Sequence, residues 1–168
     1  KDDVKEAMKQ KNQELVDVLR MTLSSISTKE KEKRYQIAKE DPAKTEEDLN
    51  KESEFSDEEI LTAITSEVKK RKDAIALYEQ GGRPELADSE KKEIAILMTY
   101  LPEQISADEL KKLVQESIEK TGAKEIKDTG KIMADLMPQV KGKADNGEIS
   151  KIIKELLAKN ARKSNISG

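Results

Sequence analysis

The stretch Gly130 to Asp145, GKIMADLMPQVKGKAD, decides how this chain is read. Ile132, Met133, Leu136 and Met137 recur at three- and four-residue spacing, which predicts one face of a helix. Gly142 is placed to end that helix, because glycine reaches the left-handed conformation without a Cβ penalty. Asp145 is placed to cap the next one, where a carboxylate satisfies free amides and the helix dipole. Met133 and Met137 sit four apart and read as flexible core fillers. Lys131, Lys141 and Lys143 fall near the helix ends. Lysines beside exposed backbone amides suit phosphate, so the segment reads as a compact helical module able to hold a folded polyanion such as RNA. It contains no recognisable catalytic centre.

Working outward, the same periodicity recurs along the chain. Leu15, Val18, Leu19, Leu23 and Ile26 make one stripe, and Leu61, Ile64, Val68, Ile75 and Tyr78 another. Ile94, Leu97, Met98 and Leu101 form a third, Leu110, Leu113, Val114 and Ile118 a fourth. Ile149, Ile152, Ile153, Leu156 and Leu157 close the series, and Val4, Ala7 and Met8 suggest a short first helix. Ser56 with Glu59, and Ser106 with Glu109, fit the capping box. Gly81-Gly82 and Gly122 stand at helix ends, Pro84 at a helix start, and Leu101-Pro102 at a stop. Aromatics are 2% of the chain, against 40% charged residues, so the composition also favours helix over strand. The expected fold is all-α: an N-terminal bundle of about four helices over residues 1–101, then a small three-helix domain over 102–168. The acidic segment from Lys39 to Phe55 is expected to be an exposed excursion with one helical turn from Thr45.

The net charge of −3 hides an asymmetry. Residues 102–168 hold 13 Lys+Arg against 11 Asp+Glu, a net of +2, and residues 1–101 hold 19 against 24, a net of −5. Any RNA affinity must therefore come from a local patch. With no Cys there is no thiolate zinc site or thiol nucleophile, and with no His the commonest general base and metal ligand is missing. A Ser-His-Asp triad is impossible, and Gly130-Lys131 lacks the upstream glycine of a phosphate-binding loop. The expectations are no catalytic residues, no cofactor, no metal and no membrane span. A second basic run, Lys69, Lys70, Arg71 and Lys72, points in different directions on a helix. Tyr78 and Tyr100 read as core residues with wet hydroxyls.

Five segments in order resemble one family: VLRMTLSSI (Val18 to Ile26), VKKRKDAI (Val68 to Ile75), LYEQGGRPELA (Leu77 to Ala87), YLPEQIS (Tyr100 to Ser106) and GKIMADLMPQVKGKAD. Together they resemble the GatB/YqeY family, most closely its stand-alone YqeY-like members. The resemblance implies that the C-terminal part looks like the tail domain of the tRNA-dependent amidotransferase B subunit, which helps to engage tRNA while the chemistry lies elsewhere. The family is also fused to some glutaminyl-tRNA synthetases. The chain departs from the family pattern at Ala134, where a small glycine is frequent, and in the length of the segment from Lys39 to Phe55.

The resulting expectation is a non-catalytic accessory protein of tRNA metabolism, with folded tRNA as partner and no DNA. The candidate RNA-binding residues are Lys127, Lys131, Lys141, Gly142, Lys143 and Lys151. The alternative is a helical module that docks onto a glutaminyl-tRNA synthetase or amidotransferase without touching RNA. A hydrolase or ligase built from carboxylates alone is the third reading. The expected location is cytoplasmic, or the mitochondrial matrix in a eukaryote.

Overall fold

The computed structural model describes residues 2–166, with side chains through residue 160. The described residues form eight α-helices and one 3-10 turn, and no strand occurs among them. The chain divides into two units, Lys1–Tyr100 and Leu101–Gly168.

The first unit carries α1 (Asp2–Lys9), α2 (Gln13–Glu40), α3 (Glu46–Ser53), α4 (Asp57–Gln80) and α5 (Pro84–Met98). Its buried apolar residues include Val18, Leu19, Ile26, Ile64, Val68 and Leu97. Ser56 caps α4 with both halves of a capping box: its hydroxyl accepts from Glu59 N, and the Glu59 carboxylate accepts from Ser56 N at 2.8 Å. Gly82 takes the left-handed turn after α4, at φ 67°, and Pro84 opens α5.

Two expectations need correction here. The segment from Lys39 to Phe55 is no exposed excursion with a single turn. It contains the two-turn helix α3, capped by Thr45 and packed on α2 with Leu49 and Ser53 buried. Arg34 of α2 donates to Asn50 at 2.6 Å and also binds Glu46, so cross-helix contacts fix a segment with one buried apolar side chain. The helix before Pro102 stops early, at Met98. Thr99 turns its hydroxyl onto Ile96 O at 2.7 Å, and Leu101 is disfavoured in the helical region by the proline after it.

The second unit carries α6 (Ala107–Thr121), the 3-10 turn Ile126–Asp128, α7 (Thr129–Val140) and α8 (Asn146–Ile166). Each of the three helices packs on the other two. Val114, Ile132, Leu136, Val140, Ile149 and Ile153 are fully buried between them, with Met133 and Met137 packed against the same cluster. Ser106 caps α6 by accepting from Glu109 N at 3.2 Å. Gly122 ends α6 at φ 64°, and Asp145 accepts from Glu148 N at 3.0 Å at the start of α8. Ala134 is exposed, so its difference from glycine meets no packing demand.

Candidate nucleic-acid interface

The candidate lysines fall at two ends of α7. Lys127 and Lys131 lie at its start, and Lys141 to Lys143 follow its last residue. Ten residues of helical rise separate Lys131 from Lys141 by about 15 Å. The sequence placed them in one patch, whereas the helix between them makes two.

At the first end the cations are held by local carboxylates. Lys127 pairs with Glu125 at 2.8 Å, which raises the lysine pKa. Lys131 pairs with Asp128 at 3.1 Å. The Asp128 carboxylate also accepts from Lys124 N and Glu125 N, at 3.1 and 3.2 Å. The Lys124 amide, the Lys131 ammonium and the Glu125 amide together lower its pKa to about 2. This end is a closed turn whose two lysines are already paired.

At the second end the backbone is clamped. Lys141 N donates to Met137 O at 3.2 Å, and Lys143 N and Ala144 N both donate to Val140 O. Gly142 is buried at φ 70°. Its carbonyl accepts from Gln104 Nε2 at 2.8 Å, while the same amide nitrogen reaches Pro102 O at 2.9 Å. Ile105 N donates to Lys143 O at 2.9 Å. Two motifs that lie 38 residues apart thus meet: the irregular Leu101–Ser106 segment is tied to the Lys141–Lys143 turn.

This geometry corrects the expected chemistry of the turn. The amides of Lys141, Lys143 and Ala144 are spent on carbonyls of α7, so they do not form a phosphate cradle. Gly142 serves the turn itself, being buried and left-handed. What remains for an anion is side-chain charge. Lys143 and Lys151 are exposed, and among the described residues neither forms an ion pair. Lys151 lies one turn and a half into α8, about 8 Å of rise from its start. Lys141 is half-buried and already engaged.

Sequence reasoning missed Gln104. A glutamine in a loop carries no signal of its partner, and only the meeting of Pro102–Ile105 with Gly142 reveals its role. The second basic run is also resolved. Arg71 is buried, with Glu67 at 3.1 Å and Glu93 at 3.0 Å, so it belongs to the seam between α4 and α5. Tyr100 is about one-third exposed, and burial together with a hydrogen bond to Asp3 raises its pKa.

A family model described as Yqey-like protein matches residues 1–157. The chain belongs to the YqeY-like family. The match runs through both units, from α1 into α8, and so takes in the capped helices, the buried Arg71 and the clamped turn. No curated protein matches the YqeY-like chain. No helix among its described residues is long and apolar enough to cross a membrane, and no group of three or more Asp or Glu among them is arranged to hold a metal ion.

Proposed function

We propose that this YqeY-like protein is a non-catalytic accessory of tRNA metabolism that holds folded tRNA through the unit Leu101–Gly168. One observation carries the reading: Gln104 and Ile105 tie down the Lys141–Lys143 turn, and Lys143 and Lys151 are exposed cations that form no ion pair among the described residues. Recognition is by shape and phosphate charge, since a chain with 2% aromatics has little to stack on splayed bases. Lys127 and Lys131 contribute less because Glu125 and Asp128 offset their charge. The purified protein is expected neither to aminoacylate tRNA, nor to transfer amide nitrogen, nor to hydrolyse ATP.

Binding of folded tRNA over a series of salt concentrations tests this. Each neutralised phosphate releases condensed counterions, so affinity falls as salt rises. The pair Lys143→Glu and Lys151→Glu is expected to lower affinity and reduce the salt slope by about two. The pair Lys51→Glu and Lys72→Glu changes net charge equally on the first unit and is expected to leave the slope nearly intact. Equal losses in both pairs would mean that only the overall field matters. No affinity of the wild type at low salt would leave the second reading, docking onto a glutaminyl-tRNA synthetase or amidotransferase. The net charge of −3 favours that alternative.

A further inference from the structure

The first unit contains a cavity of about 420 Å³. Leu19, Leu23, Ile26, Ile60, Ile64 and Leu97 make its apolar walls, with Phe55 beside them. This volume lies in the range of small-molecule sites, about 300–1,000 Å³. Three acidic residues, Asp3, Glu30 and Glu54, also line it, and among the described residues no Lys or Arg does. Lys33 lies over the Phe55 ring at 5.5 Å, but Glu59 holds its ammonium at 2.7 and 3.0 Å, and it is not part of the walls.

A second, polar cavity of about 290 Å³ shares Ser27, Glu30 and Glu54 with the first. The two glutamates therefore stand where the apolar space meets the polar one. One Glu30 oxygen accepts from Phe55 N at 3.0 Å, which fixes that side chain at the junction. On the far side, Arg34 is committed to Asn50 and Glu46.

We propose that this cavity is a binding site for a small amphiphilic cation, with its apolar body among the leucines and isoleucines and its ammonium head at Glu30 and Glu54. The apolar walls supply affinity by removing hydrocarbon from water. The acidic residues supply the sign, because an anionic head among the apolar walls would meet Glu30 and Glu54 before any cation. The rival is an anionic head that reaches past the glutamates to Lys31 and Arg34 in the polar cavity.

Calorimetric titration of the full chain with hexylammonium, hexanoate and hexanol separates these. Hexylammonium is expected to bind saturably and about tenfold more tightly than hexanoate, with hexanol between them. Glu30→Gln with Glu54→Gln keeps the shape and the Glu30 acceptor, and is expected to bring hexylammonium down to the level of hexanol. Leu23→Phe fills the apolar space and is expected to weaken all three. Preference for hexanoate, absence of binding by hexylammonium, or an unchanged preference in the double glutamine variant would each overturn the proposal. The glutamine variant tests the site even if Leu23→Phe fails to fold.

Discussion

In the second unit the buried cluster is apolar throughout: Val114, Ile132, Leu136, Val140, Ile149 and Ile153 meet, and among the described residues no charged side chain is buried with them. In the first unit Arg71 and Glu67 are both buried. Arg71 there binds Glu67 and Glu93, while Glu67 also accepts from Ser25 of α2 at 2.9 Å and from Lys70 at 2.8 Å. The core of the second unit is held by area removed from water, which is insensitive to pH, and its lowered carboxylates, Asp128 and Asp135, lie outside that core. The first unit adds to its apolar core a largely buried ion network across three helices, in which removing one partner leaves the others uncompensated. Burial alone would raise the pKa of Glu67. The hydrogen bonds from Lys70, Ser25 and Arg71 outweigh it and leave the pKa lowered.

The largest expected effect tests that contrast directly. Arg71→Leu leaves Glu67 and Glu93 without their shared cation and is expected to cost about 4 kcal/mol in urea unfolding. Adding Glu67→Leu and Glu93→Leu should recover most of the loss, because a buried ion network can be replaced by packed apolar groups at little net cost. If the triple variant is as unstable as the single one, shape rather than charge governs the seam. The wild-type network also carries a pH signature. A carboxylate with a lowered folded pKa contributes stability above its unfolded value, and that contribution is lost as pH falls through the folded one. The first unit is therefore expected to lose stability from about pH 4.5 downward.

Ile153→Ala is the matching change in the second unit. Ile153 is fully buried, and truncation is expected to cost about 3 kcal/mol from lost burial and the cavity left behind. The cost should be equal at neutral and mildly acid pH. A strong pH dependence would place charge in a core that the structure shows to be apolar. Next in size, Gly142→Ala forces a Cβ into a left-handed backbone at φ 70° and is expected to cost about 1 kcal/mol. It should also loosen the Gln104 clamp, seen as faster amide exchange at Ile105.

The features legible in the sequence are those whose chemistry is local. Periodic stripes gave the long helices, and Ser56, Ser106, Gly122 and Asp145 marked their ends because a cap bonds amides only two or three residues away. α3 was read too short because Leu49 is its one buried apolar side chain and the contacts that hold it come from Arg34, on another helix. Arg71 looked like one member of a basic run because its acidic partners in α5 lie some twenty residues away. The candidate lysines were legible as residues but not as a patch. Their separation depends on α7 running unbroken between Thr129 and Val140, even though Pro138 removes one of its backbone bonds.

The smallest expected effect compares the two serine caps. Ser56→Ala in the first unit and Ser106→Ala in the second each remove a hydroxyl that accepts one amide, at 3.3 and 3.2 Å. Each is expected to cost about 1 kcal/mol at neutral pH. Their wild-type pH behaviour should nevertheless differ. The cap of α4 includes the Glu59 carboxylate, whose pKa is lowered chiefly by Lys33 and then by the Ser56 amide. A lowered carboxylate contributes above its unfolded pKa and stops contributing as pH falls through its folded one. The Ser106 hydroxyl does not titrate in this range. Hydrogen exchange at the first turns of α4 and α6 between neutral pH and pH about 3, corrected for intrinsic rates, is thus expected to show α4 fraying on acidification and α6 holding. Parallel fraying at both ends would mean that the Glu59 half of the box adds nothing, and that the two units share one kind of helix start.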